Sequence, residues 1–345
     1  MGRFFGNKFG ANPASVNPGD AAESGIYSIS DHYYVKQEGG FVEPVSATGG
    51  STYTPGDGYK YHKFTYPNSD SFVKTAGDVN VDILVVAGGG GGWSYYGAGA
   101  GAGGVAIGLD ISLPNATHQI TVGNGGVGGA GSNPPAKNGG NSAFGTSGNP
   151  YGGQPDHIIA KGGGGGGNTY TAANGQAGGS GGGDAGGNSP PYGGLATQPG
   201  TNPSPKVTDH GYPGGYSYPT GGYAPAGGGG AGAQGVNLTQ NQPGGGNGGD
   251  GVPISQFPYP KIGEPGLNPY SPTNNHYGGG GGASIYHTPG PPAFKGYGGA
   301  GGGGNPPTGQ SAIDKLGGGG GGGHPSGGGS GGQGMVLVRY QWSAP

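Results

Sequence analysis

Cysteine is absent from the 345-residue chain. That excludes disulfides and thiolate metal sites and fits synthesis in a reducing cytoplasm. Charge is scarce: 13 basic and 16 acidic residues leave a net charge of −3, with only 8% of positions charged. This is no electrostatic footprint for nucleic acid. No apolar run approaches the length of a membrane-crossing helix, so no membrane insertion is expected. Residues Met1 to Gly10 lack the apolar stretch of a secretory signal, so none is expected there. Leu, Ile, Val and Phe total 46 residues, too few for a conventional core in a chain of this length.

What fills the chain is glycine, at 98 positions, with 32 prolines and 22 tyrosines. Disorder usually combines low hydrophobicity with high charge, and the charge is missing here. Order must then come from the backbone. A glycine in a regular element costs roughly 0.5–1 kcal/mol relative to alanine. The compensating gain is close approach of bare backbones that exchange N–H···O=C bonds.

Three regions are distinguishable. Residues 1–50 read as an N-terminal attachment arm, broken by Asn12-Pro13, Asn17-Pro18 and Gly39-Gly40. Residues 51–87 read as a β-module. Tyr59 to Tyr66 alternates as a half-buried strand does, Ser71 to Thr75 is a second strand, and Val79 to Ala87 is an apolar run suited to burial on both faces. Residues 88–334 form a glycine-rich body with uninterrupted runs at 88–92, 162–167, 227–230, 278–282, 301–304 and 317–323. One or two strands are expected inside it between Val105 and Val122. Met335 to Tyr340 is a closing strand expected to pair with Ile83–Val86, so that 335–345 completes the β-module.

The runs lack the strict every-third glycine of collagen. The Gly-Ala alternation at 97–102 that would suit silk-like stacking ends there. The remaining geometry is a threefold extended helix of the polyproline II type, rising about 3.1 Å per residue. The expected fold class is therefore mainly β, with almost no helix: a small β-module enclosing a long body folded as a polyglycine-II-like bundle.

Five elements occur in order. They are Tyr59-Lys60-Tyr61-His62-Lys63-Phe64-Thr65; Asp82-Ile83-Leu84-Val85-Val86-Ala87 running into Gly88–Gly92; Gln119-Ile120-Thr121-Val122-Gly123-Asn124-Gly125-Gly126; Asn138-Gly139-Gly140-Asn141-Ser142-Ala143-Phe144-Gly145; and Gly332-Gln333-Gly334-Met335 to Tyr340. This layout, covering about 59–340, resembles glycine-rich virion proteins of tailed phages, marine T-even-like phages among them. The resemblance implies a structural, non-enzymatic subunit of the tail-fibre or adhesin type, made in the host cytoplasm and carried in the virion. It implies contact with other virion proteins and with copies of itself, a trimer among the options. In related adhesins glycine rods form bundles whose loops contact host receptors, here a surface glycan or an outer-membrane protein. A secreted, self-assembling bacterial fibre or matrix protein is the alternative reading.

Motifs for catalysis are weak. GxGxxG recurs by chance in glycine runs, but no run continues into Gly-Lys-Ser/Thr. Eight histidines are scattered without zinc-site spacing. Asp156-His157 and Asp209-His210 set an acid beside a base, without a serine on a strand–turn–helix elbow. No cofactor or metal is expected. The aromatics are the informative set. Trp93, Tyr95, Tyr96, Tyr212, Tyr216, Tyr218, Tyr223, Tyr259 and Tyr286 are candidate receptor or partner contacts, because such rings supply large contact area at low entropic cost. Packing against glycine rods is the competing role for the same rings.

Overall fold

The computed structural model describes residues 45–67, 70–77, 79–131, 136–145, 157–168, 174–186, 192–217, 224–239, 244–264, 275–285, 295–324 and 327–342. Most of the arm expected at 1–50, residues 1–44, lies outside them. The rest of it is no separate arm: Ser46–Thr48 is β1, paired antiparallel with β4 (Asp70–Ala76).

The strands build a sandwich. One sheet has the order β1-β4-β7-β8-β9, with β7 at Thr117–Thr121, β8 at Ser142–Phe144 and β9 at Ile158–Ala160. The other has the order β10-β6-β5-β13-β3-β2. Its strands are β2 (Ser51–Tyr53), β3 (Tyr59–Thr65), β5 (Asn80–Val86), β6 (Val105–Ser112), β10 (Val207–His210) and β13 (Met335–Gln341). The closing strand lies beside β5 as expected, with Val336 opposite Val85 and Val338 opposite Ile83, and it pairs with β3 on its other side. The β-module is nevertheless wider than 51–87. Five of the strands in these two sheets, β6 to β10, come from the glycine body.

Strand period explains the packing. Alternate side chains of β5 and β13 point to opposite faces. Ile83, Val85, Val336, Val338 and Tyr340 meet Phe72, Ile120, Phe144 and Ile158 of the facing sheet. Leu84, Val86, Met335 and Leu337 face the other way, onto Ile254, Phe257, Tyr259, Ile262, Tyr277 and Leu316. Most of these last residues lie in or beside a 3-10 turn, Tyr259–Ile262, and a two-stranded ribbon of β11 (Val252–Pro253) and β12 (His276–Tyr277). Both central strands are buried on both faces, hence their unbroken apolar sequence. The turn is tied to the sheet by Lys63, whose Nζ donates to the Ile262 carbonyl at 3.0 Å and to Glu264 Oε1 at 2.6 Å, while Lys315 donates to the same oxygen at 2.7 Å. Burial pushes the Glu264 carboxyl up, but Lys315 and Lys63 outweigh it and hold the group below the usual carboxylate range.

From the edge of this sandwich the chain extends into glycine rods, and their hydrogen bonds repeat every three residues. Gly88 and Gly91 donate to the carbonyls of Gly140 and Lys137 at 3.0 and 2.9 Å. Gly89 and Gly92 donate to Gly332 and Gly329 at 2.9 and 2.8 Å. Gly90 donates to Gly101 at 2.9 Å. The carbonyls follow the same count: Gly163 and Gly166 donate to Gly88 and Gly91, Gly126 and Gly129 to Gly89 and Gly92, and Gly320 to Gly90. The run 88–92 thus bonds to six neighbouring rods. The run 97–104 has the same habit: Gly99 and Ala102 reach one rod, Ala100 and Gly103 a second, Gly101 and Gly104 a third. A threefold helix aims successive N–H groups 120° apart, and this is its signature. No glycine of 88–92, 162–167 or 227–230 has a positive φ, so these rods keep to one hand.

Where bare glycines face a neighbouring backbone, the spacing leaves no room for a side chain. A Cβ on Gly89 would lie 1.9 Å from the Gly318 carbonyl oxygen, and one on Gly228 would lie 1.8 Å from that of Ala100. At the margin of the bundle, side chains take over as acceptors with the same count of three. Asn138 and Asn141 accept through Oδ1 from Gly165 N (2.8 Å) and Gly162 N (2.9 Å). Asn247 and Asp250 accept through Oδ1 from Tyr297 N (2.8 Å) and Ala300 N (2.9 Å).

Candidate recognition surface

Rod directions define two ends. The run 88–92 leaves the sandwich from β5, and 97–104 returns to it at β6. The run 123–129 leaves parallel to the first, and 327–334 returns into β13. At the far end the described residues draw Trp93 to Tyr96, Gly131 and His324 together. Gly323 N donates to the Trp93 carbonyl at 2.8 Å and Gly131 N to Ser94 Oγ at 2.7 Å. The sequence between neighbouring rod ends carries the bulky composition: Ser132-Asn133-Pro134-Pro135, Tyr218-Pro219-Thr220-Gly221-Gly222-Tyr223 and Tyr286 to Phe294. These three segments lie outside the described residues, and with them the candidates Tyr218, Tyr223 and Tyr286.

The six described candidates divide. Trp93 is 3% exposed, with its indole over the bare face of Gly129. Tyr259 is wholly buried, its ring edge-on to Tyr277 at 5.4 Å and its hydroxyl donating to the His276 carbonyl. Neither ring is offered to a partner, and both are withdrawn from the surface: one seals rod ends and the other fills the core beneath the sheet. Tyr95 and Tyr96 are half-buried in left-handed backbone (φ 47° and 59°), with rings 5.4 and 6.0 Å from that of His324. That conformation is unusual for bulky residues, so these rings are placed by the turn that joins two rods. Tyr212 and Tyr216 are exposed, at 44% and 46%.

These two belong to a flank the sequence reading did not see. Gly214 N bonds Gly194, Gly235 N bonds Pro213, Val236 N bonds Asn247 and Gly248 N bonds Tyr297. The stretches around 194, 214, 236, 247 and 297 therefore lie side by side. Along them Tyr192, Leu195, Tyr212, Tyr216, Val236 and Tyr297 are all exposed. A single large side chain amid glycines was the available signal, as in Gly-Gly-Leu195 and Gly-Tyr297-Gly.

Beside Tyr297 the flank opens into a groove of about 720 Å³, lined by Asp250, His276, Lys295, Tyr297, Pro306 and Pro307 among others. Burial pulls the His276 imidazole below its ordinary value, against the pull of Asp250. A second cavity of about 400 Å³ opens at the sandwich edge by Tyr59, Asp82, Asp110 and Arg339. Its charges are engaged internally: Arg339 pairs with Asp82 at 2.8 Å and stacks on Tyr59 at 4.3 Å, while Lys206 pairs with Asp110 at 3.2 Å.

The acid–base pair on β10 is likewise engaged. Asp209 accepts from Gln198 Nε2 at 2.8 Å and from Asn202 N at 2.9 Å, bracing the loop that leads into the strand. Burial draws His210 below its ordinary value, with Asp209 opposing. Asp156 of the other pair lies outside the described residues. Among the described residues, no three of His, Cys, Asp and Glu stand close enough to hold a metal ion, and no helix is long and apolar enough to cross a membrane.

An antiparallel sandwich whose connections are drawn out into mutually bonded glycine rods defines a class of protein packed by its backbone. Within that class the chain belongs to the family described as the glycine-rich domain, whose sequence model matches residues 65–341, which take in the sandwich from the end of β3 to β13 and the rods between. No curated protein matches the chain in sequence.

Proposed function

We propose that this chain is a non-enzymatic structural subunit of a tailed-phage particle, of the tail-fibre or adhesin type, that presents a recognition surface to the host cell. The observation that carries the reading is the division of labour in the bundle. Rods such as 88–92 and 317–323 spend their backbone groups on one another. The bulky residues stand on an exposed flank and in the sequence joining rod ends. Such a scaffold holds exposed rings rigidly, which lowers the entropic cost of binding. Its partners in this reading are other virion proteins, further copies of the chain, and a glycan or protein of the host surface.

The test is location followed by blockade. Particles purified from a lysate are examined by mass spectrometry and by gold-labelled antibody against the chain. The expected result is labelling at a particle extremity, with Fab fragments reducing adsorption to cells. A chain found only in the secreted matrix of uninfected cells overturns the reading in favour of a bacterial fibre protein.

A further inference from the structure

The groove beside Tyr297 contains groups that the bundle does not need. Asp250 bonds Ala300 N through one oxygen at 2.9 Å. The same task is done elsewhere by an amide: Asn141 accepts from Gly162 N at 2.9 Å. The charge of Asp250 and its second oxygen are surplus to rod packing, and that oxygen has no hydrogen bond among the described residues. Lys295 lines the same groove and makes no ion pair among the described residues. The two charges oppose each other, so the groove offers donors and acceptors without a net field favouring either sign.

Tyr297 supplies the apolar part. Its N–H donates to Asn247 Oδ1 at 2.8 Å and its carbonyl accepts from Gly248 N at 2.8 Å, yet the residue is 58% exposed. The backbone is clamped while the ring is left open, and Pro306 and Pro307 line the same groove. A cavity of about 720 Å³ falls within the range of small-ligand sites, where an apolar lining carries a few placed polar groups.

We infer that this groove is a binding subsite for a neutral carbohydrate, with the C–H face of a pyranose ring against Tyr297 and its hydroxyls shared between Asp250 and Lys295. A pyranose has one face of weakly positive C–H bonds, which suits the negative face of an aromatic ring. Its hydroxyls both donate and accept, which suits a carboxylate and an ammonium set together. Further along the same flank, beyond the two intervening rods around 247 and 236, the exposed rings of Tyr216 and Tyr212 offer a longer saccharide further contact. The inference rests on the recognition role proposed above and names its ligand class.

Full-length protein is titrated with neutral oligosaccharides of glucose, galactose and mannose by calorimetry and saturation-transfer NMR. A sulfated polysaccharide and a zwitterionic tripeptide serve as comparison probes. At least one neutral saccharide is expected to bind. Tyr297→Ala should weaken it roughly tenfold, and Asp250→Asn should weaken it without moving the melting temperature, because the amide keeps the rod contact. Tyr66→Ala, remote from the groove, should leave binding unchanged. Failure of every neutral saccharide to bind at millimolar concentration overturns the inference, as does binding indifferent to Tyr297→Ala or confined to the comparison probes. The particle experiment separates the two readings. Saccharide binding by a chain absent from particles keeps the groove and removes the virion role; a chain present on particles that binds no saccharide does the reverse.

Discussion

Between the two sheets Val336, Val338 and Tyr340 fill space with side chains, while between the rods Gly90 and Gly320 leave no space to fill. In the sandwich, hydrogen bonds run in ladders and burial of apolar surface supplies the cohesion. In the bundle each rod bonds in several directions, and the buried surface is largely peptide. The sandwich should therefore tolerate a change in side-chain volume at a graded cost, whereas the bundle should tolerate no added side chain at a glycine whose Cβ position points at a neighbouring backbone.

The sharpest way to break this contrast is Gly90→Ala. The new Cβ would sit 2.2 Å from the Gly164 carbonyl oxygen, held in backbone on every side. Loss of more than about 5 kcal/mol, read as failure to fold or collapse of the melting transition, is expected. Gly56→Ala is the control: nothing lies within 4 Å, and only its φ of 86° resists, so about 1–2 kcal/mol should be lost. Equal tolerance of both substitutions would mean the rods are not close-packed. Next in size is Leu84→Ala in the doubly covered sheet, with an expected cost of about 2–5 kcal/mol by denaturant unfolding. Below that comes the rim of the bundle. Asn138→Ala strips the acceptor from Gly165 N at about 1 kcal/mol, with faster amide exchange at Gly165.

A smaller, pH-dependent difference should reside in the sandwich. Burial pulls His62 below its ordinary value, against the Gly49 carbonyl that its Nδ1 meets at 2.8 Å. A group depressed on folding binds more protons unfolded. Its contribution is complete above the unfolded value of about 6.5 and is lost as pH falls from there through the folded value. Melting temperature should drop between pH 7 and pH 5. His62→Gln should show a shallower drop, the remainder coming from His210, His276 and His324, which burial also depresses. A slope unchanged in the variant would remove His62 from the account. Smallest of all, Tyr212→Ala on the exposed flank should shift stability by no more than about 0.5 kcal/mol.

The sequence was most readable where one pattern decided the outcome. Apolar β5 and β13 needed a partner and found each other, and glycine runs too long for a turn became rods. It was less readable where an element was too short to carry a pattern. Ser142–Phe144 and Ile158–Ala160 have three residues each and gain strand form only from pairing, the first with β7 and the second with the first. Tyr259 lies in Pro-Tyr-Pro, which reads as an exposed loop, and only the sheet above it determines its burial. Tyr297 was invisible as a contact for the opposite reason: its lone ring is exposed because the rods beneath it accept no side chain. The rim acceptors were present as spacing, in Asn138-Gly-Gly-Asn141 and Asn247-Gly-Gly-Asp250, with a meaning supplied only by the count of three in the bundle.

That count imposes something like a reading frame. Within 317–323, Gly320 and Gly323 address the rod at 90–93, and Gly319 and Gly322 address the rod at 279–282. Removing one glycine from the middle of such a run turns every later N–H by a third of a revolution and hands its bond to the wrong neighbour. Removing three restores each address at the expense of one turn of length. Lengths of the rods are thereby counted in threes, while the sequence between rod ends is free of the count.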